Sequence, residues 1–289
     1  MISNTTLKYK IGILGTGNIG SDLLIKLVKM GFKDISFVGR RDISEGIKMA
    51  QKLGVKTSTD GINFYLLNKH DIVFDCTNAF DAKEHYRILK SVGTKVIDLT
   101  PAKLGEICVP LINGDDIKKF DNINMITCGG QASIPLIHVI CQTVKDVEYI
   151  EIVSQIASKS AGMSTRINID NYIETTQYAI YKYSSAKNCK VILNVNPAEP
   201  CVDMQTTIFM QINKLNSVNF EDIISNIYNR LKEIKEYVPN YEMVMPPMIN
   251  ESDILMLSVK VRGLGDYLPE YAGNLDIINC AAIKTLEYL

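Results

Sequence analysis

Residues 15 to 20 read Gly15-Thr16-Gly17-Asn18-Ile19-Gly20 and follow directly on an apolar run, Lys8 to Leu14. A strand that enters a G-x-G-x-x-G turn and leaves as a helix restricts the possible folds severely. Glycines lacking Cβ permit the tight turn, close approach of backbone to a pyrophosphate, and close helix packing. The helix N-terminus then attracts the anion. The helix is expected over Ser21 to Met30, where Leu23, Leu24, Leu27 and Val28 share a face. An ordinary glycine-rich turn is the alternative, but the position between strand and helix favours dinucleotide binding.

The alternation continues to about residue 145. Ile35 to Val38, Asp71 to Cys76, Lys95 to Leu99 and Ile123 to Thr127 read as strands. Helices are expected at Ser44 to Leu53, with Ser44 as N-cap, at Asp81 to Val92 and at Ala132 to Val144. Such repetition implies a parallel sheet with right-handed crossovers. Beyond Val147 the pattern changes. Val147 to Ala157, Lys190 to Val195, Gln205 to Ile212 and Ile254 to Val261 look extended, with helices at Asp170 to Tyr183, Phe220 to Glu236 and Ala272 to Leu289. Longer strands with few helices suggest an α+β unit with an antiparallel or mixed sheet.

The 289 residues suffice for two domains, and 31 basic against 32 acidic residues leave no basic footprint for nucleic acid or an anionic membrane. Met1 to Lys10 has no secretory pattern, and the uncharged run Asn122 to Val144 is broken by polar residues and Pro135, so a soluble cytoplasmic protein is expected. The seven cysteines (76, 108, 128, 141, 189, 201, 280) form no C-x-x-C, and only three histidines (70, 85, 138) are present. Neither a disulfide framework nor a metal site is expected.

Two local patterns carry chemistry. At the end of the second strand, where an acidic residue would hold the ribose of NAD, stands Gly39-Arg40-Arg41-Asp42. Arg41 suits the 2′-phosphate of NADP, a solvated basic turn reads equally well, and both cofactors stay open. The second pattern is Thr127-Cys128-Gly129-Gly130-Gln131-Ala132, which places Cys128 between a strand end and a helix. Ligands of open α/β sheets bind at that edge, and a helix N-terminus is expected to lower the thiol pKa. A core cysteine beside a Gly-Gly turn is the alternative. A dinucleotide beside a nucleophilic cysteine suggests aldehyde oxidation through a thiohemiacetal and a thioester, with water, phosphate or CoA as acyl acceptor.

The sequence resembles the acylating acetaldehyde dehydrogenases along nearly its whole length. The most specific stretches are Asp98 to Ala102, Asn124 to Ala132, Ser158 to Gly162 with Thr165-Arg166, Asn196 to Pro200, and Tyr267 to Asp276. The resemblance implies oxidation of acetaldehyde or a short aldehyde with NAD(P) and CoA, with Cys128 carrying the acyl group. It implies cofactor contacts from Gly15, Thr16, Gly17, Asn18 and Ile19, from Ser160, Ala161, Gly162, Met163, Ser164, Thr165, Arg166, Ile167 and Asn168, and from Asn274. The implied fold resembles that of glyceraldehyde-3-phosphate dehydrogenase, with a Rossmann domain at 1–130, a catalytic and dimerisation α+β domain at 131–271, and helix 272–289 packing back on the first. A homodimer and a complex with a 4-hydroxy-2-oxoacid aldolase are further implications.

Two positions depart from the family pattern. Relatives carry an Arg-Asp-Thr whose Asp is thought to help activate the cysteine, where this chain has Gln205-Thr206-Thr207. Activation then falls to the helix N-terminus and water, or to Asp203. Arg41 replaces the Asp usual in relatives. An acyl-CoA reductase for an unusual substrate, or a dinucleotide-binding partner of an aldolase with little redox activity, are the competing readings.

Overall fold

The computed structural model describes residues 6–42, 44–213 and 219–289. The first part builds a seven-stranded sheet from β1 (Ile11–Leu14), β2 (Ile35–Val38), β3 (Lys56–Ser58), β4 (Ile72–Asp75), β5 (Lys95–Asp98), β6 (Glu106–Ile107) and β7 (Asn122–Asn124). The order is β3-β2-β1-β4-β5-β7-β6, and every pairing is parallel. Strand order reverses beside β1, so the crevice at the carboxyl ends of β1 and β4 is the natural ligand position. β1, β2 and β4 are buried on both faces, as parallel strands covered by helices must be.

The covering helices follow amphipathic patterns. α1 (Asn18–Lys29) buries Leu23, Leu24 and Leu27. α2 (Glu45–Lys52) starts where expected, with Ser44 Oγ accepting from the Ile47 N–H at 3.1 Å. α3 (Asn63–Leu67), α4 (Ala79–Ser91) and α5 (Pro110–Asn113) complete this part.

The chain then enters α6 (Cys128–Thr143), β8 (Val147–Ala157), α7 (Met163–Ile167), α8 (Ile169–Tyr183), β9 (Ala186–Asn196), β10 (Met204–Ile212), α9 (Phe220–Lys235), β11 (Tyr241–Ile249) and β12 (Ile254–Val261). The second sheet has the order β11-β12-β10-β8-β9, with β8 and β9 parallel and the rest antiparallel. Alternate residues of β8 and β10 are buried in one core with α6, α8 and α9, the pattern of a sheet covered on one face. α10 (Gly273–Thr285) returns to pack on α1 and α6. The expected pairing of a parallel dinucleotide-binding sheet with a second mixed sheet is the architecture observed.

Several boundaries differ from the sequence reading, β3, β6, β11, α3 and α5 were not expected, and two of the differences bear on the site. The strand expected over Ile123 to Thr127 ends at Asn124, and the helix expected from Ala132 begins at Cys128. Between them Ile126 takes a φ of 62°, a conformation that a β-branched residue rarely adopts. The Asn124 side chain accepts from the Ile126 N–H at 2.9 Å and holds this turn.

Candidate active site

The glycine turn divides its work in a way the distances show. A Cβ on Gly20 would lie 2.0 Å from the Gly15 carbonyl oxygen, while Gly15 has a φ of 112°, so these two serve the turn itself. Gly17 has nothing within 4 Å of its missing Cβ. It is the N-cap of α1 and no side chain caps that helix end, so the first N–H groups are left for an anion.

This turn walls a cleft of about 660 Å³ that Gly15, Thr16, Gly17, Asn18, Ile19 and Arg41 line from the first sheet. Ser160, Gly162, Met163, Ser164, Thr165 and Ile167 line it from the second unit. The loop sits there because α7 docks on the first sheet: Ser164 Oγ donates to the Thr77 carbonyl, and Asn168 Oδ1 accepts from the Ala79 N–H at 3.3 Å. Arg166 turns elsewhere, donating to the carbonyls of Ala161 and Ser158 and to Ser158 Oγ. Neither Ala161 nor Arg166 lines either cavity.

A smaller cavity of about 60 Å³ opens beside the cleft, and Ile19, Cys76, Thr77, Ser164 and Thr165 border both. Cys128 stands in its wall, at the first turn of α6, in contact with both hydrophobic cores. Thr127 caps this helix by accepting from the Gly130 N–H at 2.9 Å. Asn168 and Asn274 also line the small cavity. Asn274 is not the N-cap of α10, a role held by Ala272, and its buried Oδ1 has no hydrogen-bond partner. An orphaned buried acceptor facing a cavity fits the carboxamide of a nicotinamide, as the open α1 N-terminus fits a pyrophosphate.

The helix N-terminus does not leave Cys128 acidic. Burial pushes its thiol up to about 11, against the opposing pull of the Tyr172 hydroxyl and nearby backbone N–H groups. The expected lowering therefore fails because desolvation outweighs the helix end in a pocket that no charged side chain lines among the described residues. Asp203 is no substitute base: its carboxylate lies 4.0 Å from Lys260 and does not line the cavity. Thr206 is buried, with Oγ1 3.0 Å from Ser154 Oγ.

Three features were not singled out from sequence. Cys76 lines both cavities, with its thiol held well above the ordinary value by burial and by Asp75 and Asp98. His85 lines the large cleft and contacts Asp75 at 2.8 Å. Tyr172 lines the small cavity with its oxygen 3.9 Å from Cys128 Sγ. All three depend on packing between elements distant in sequence, which no local spacing signals.

A family model described as prokaryotic acetaldehyde dehydrogenase, dimerisation, matches residues 128–269. Another, described as NADP oxidoreductase coenzyme F420-dependent, matches residues 10–102. The acetaldehyde dehydrogenase of Spirochaeta aurantia is 48% identical over 281 residues, covering 96% of this chain and 93% of that protein. The chain belongs to the acetaldehyde dehydrogenase family. The family member from Burkholderia thailandensis is 47% identical, covering 99% of this chain and 96% of its own length. Among solved structures, aspartate semialdehyde dehydrogenase II of Vibrio cholerae superposes with a TM-score of 0.63 at 11% identity, covering 96% of each chain. The Candida albicans aspartate semialdehyde dehydrogenase with NADP gives 0.61 at 11% identity, covering 97% of this chain and 99% of that one. At such identity these two bear on fold alone.

Proposed function

We propose that this protein oxidises acetaldehyde or a similarly short aldehyde to its acyl-CoA, using NAD(P) and the thiol of Cys128. The observation that carries this reading is the meeting of a dinucleotide cleft with a small, mostly apolar cavity at Cys128. About 60 Å³ between Leu99, Pro101, Ile126 and Ile278 suits a substrate of a few heavy atoms.

Cys128 holds the substrate first as a thiohemiacetal and then as a thioester, whose acyl group passes to the thiol of CoA. When bound, the dinucleotide supplies the hydride acceptor. Residues 15–19 with Ser160, Gly162, Met163, Ser164, Thr165 and Ile167 hold its phosphates and sugars, and Asn274 orients the ring. Regions 1–130 and 272–289 supply most of the cofactor cleft together with Cys128, while 131–271 adds the loop at 160–165, Tyr172 and the pairing face. At the adenosine end Arg40 is engaged by Asp81 at 2.5 Å, whereas Arg41 lines the cleft with no carboxylate partner among the described residues. Arg41 in the cleft wall suits a 2′-phosphate, so NADP is used at least as well as NAD.

A second copy of the chain pairs through the outer face of the second sheet, where Val153, Phe209 and Met256 stand half-buried opposite the helices. No helix among the described residues is long and apolar enough to cross a membrane. The cytoplasm, and an aldolase as the source of a volatile aldehyde, complete the reading.

The test is reduction of NAD or NADP by acetaldehyde with and without CoA. CoA-dependent reduction is expected, with Cys128→Ala lowering it roughly 10³-fold or more. No CoA-dependent signal, or full activity in Cys128→Ala, would overturn the reading. Arg41→Asp is expected to shift preference toward NAD roughly tenfold, the scale of one charge-assisted contact. One observation favours an aldolase-binding role without redox chemistry, namely a hydroxyl instead of a carboxylate at residue 206. Cofactor binding with no labelled acyl group trapped on Cys128 would support that alternative.

A further inference from the structure

Among the described residues, no carboxylate, histidine, lysine or arginine lines the cavity around Cys128. Among these lining residues only uncharged groups can assist ionisation of the thiol, and one of them, Tyr172, is in contact with it. Tyr172, on α8, places its hydroxyl 3.9 Å from Cys128 Sγ and accepts a hydrogen bond from the Gly129 N–H at 3.0 Å. The Ser154 hydroxyl, on β8, and that of Thr127 both lie near the phenol. Ser154 Oγ lies 3.0 Å from Thr206 Oγ1, on β10. Tyr172, Ser154 and Thr206 are all buried, so a row of three hydroxyls leads from the sulfur into the second sheet. Glycine at 129 makes room for it. A Cβ there would lie 2.0 Å from the Tyr172 hydroxyl and 2.6 Å from Ser154 Oγ.

Donor accounting gives the row a direction. A phenol has one proton to donate and two lone pairs. With Cys128 as thiol, the Tyr172 oxygen accepts from the Gly129 N–H and the S–H, and donates toward Ser154 or Thr127. With Cys128 as thiolate, the same oxygen accepts from Gly129 and Ser154, and donates to sulfur. Ser154 must then change from donor to acceptor toward Thr206, which a threonine hydroxyl permits because it can play either part. An ionised carboxylate at 206 could only accept, and would hold the Tyr172 proton on Ser154 and away from sulfur.

We propose that Tyr172 is a catalytic hydrogen-bond donor to the Cys128 thiolate, and that the Ser154–Thr206 pair reverses its direction as the thiol ionises. The S–H bond breaks, its electron pair stays on sulfur, and the proton passes to water in the cavity. Nothing is oxidised or reduced. Burial keeps the phenol itself neutral by raising its pKa well above the ordinary value, so it donates without competing for the proton. This inference rests on Cys128 as the reacting thiol and on no choice of cofactor or acyl acceptor.

The experiment is alkylation of the full chain by iodoacetamide from about pH 6 to about pH 11, read at the Cys128 peptide by mass spectrometry. Tyr172→Phe is expected to raise the midpoint by about one pH unit and slow labelling roughly tenfold below it. Thr206→Val should raise it less, and Thr206→Asp at least as much as Tyr172→Phe. Purely structural roles would lower the melting temperature and leave the midpoint in place. An unmoved midpoint in folded Tyr172→Phe overturns the proposal. An unmoved or lowered midpoint in Thr206→Asp overturns the reversing row, and decides the matter if Tyr172→Phe does not fold. Full aldehyde oxidation by Cys128→Ala would instead sink the proposed function, an outcome separate from these titrations.

Discussion

Glycines 17 and 20 belong to one six-residue motif yet meet different constraints. A methyl group at residue 20 would lie 2.0 Å from a backbone carbonyl, which cannot rotate away as a side chain can. Gly20→Ala is therefore expected to cost about 1–3 kcal/mol in urea unfolding, the usual range for overpacking. Gly17→Ala meets open space and changes only a helix cap, so its stability cost stays below about 1 kcal/mol. Its methyl group instead occupies the approach of the pyrophosphate. Weaker dinucleotide binding with a near-normal melting temperature is expected, measurable by fluorescence titration. Equal behaviour of the two variants in both measurements would contradict this division. The turn was legible because it lies within six consecutive residues. Tyr172 was not, since it and Cys128 are 44 residues apart and meet only when α8 packs against α6.

At the scale of elements, the carboxyl ends of β4 and β5 hold two buried acids. Asp75, at the end of β4, contacts His85 of α4 at 2.8 Å. Asp98, at the end of β5, accepts from the Thr100 N–H at 2.8 Å and from Asn124 Nδ2 at 3.1 Å. Burial and the neighbouring Asp75 push Asp98 up to about 7 from 3.8. For this acid the folded state holds a proton that the unfolded chain has lost, so stability falls as pH rises from about 4 to about 7. His85 suffers a burial penalty that Asp75 and Asp81 overcome, leaving its pKa raised above 6.5. Its contribution is complete below 6.5 and is lost as pH rises through the higher folded value. The two effects have one sign in adjoining windows. The melting temperature is expected to fall from about pH 5 to above neutrality, and His85→Gln should flatten the part above 6.5. A variant that keeps the wild-type slope there would show that His85 is not responsible. The sequence pattern located both strands to within a residue or two. It could not foresee that two acids would share one buried edge, because their proximity follows from strand order.

Across the whole molecule, Lys26 ties the chain's beginning to its end. Its buried ammonium lies 3.0 Å from Asp22, 2.7 Å from Asp266 and 2.9 Å from Asp276, joining α1, the loop before α10, and α10 itself. Asn279 adds a bond to Asp22 at 2.8 Å. Asp22 and Asp276 are raised by burial in spite of Lys26, and the one buried ammonium touches all three carboxylates, with Lys29 adding a second contact to Asp266 alone. Lys26→Met should cost about 3–5 kcal/mol, the scale for removing one partner of a buried ion pair. Urea unfolding measures the loss, and limited proteolysis near residue 266 should accelerate as α10 loosens. A loss below about 1 kcal/mol would mean that the cluster is no more than a surface pair. Asn274 sits on this same helix, so cofactor affinity is expected to fall together with stability.

Sequence alone sufficed for the alternation of strand and helix, the glycine turn before the first helix, the change of architecture near residue 147, and the place of Cys128 between strand and helix. These are properties of adjacent residues, where glycine geometry, apolar periodicity and capping act over a few positions. The tertiary structure alone decided how Cys128 is tuned. Expected to be acidified by a helix end, it is instead pushed up to about 11 by the packing of two cores around it. It decided also that Arg166 and Asp203 turn away from the cavities while Asn274 faces one with an unpaired oxygen. Desolvation and contact across elements depend on distances in space, and those exist only once the sheets and helices have packed.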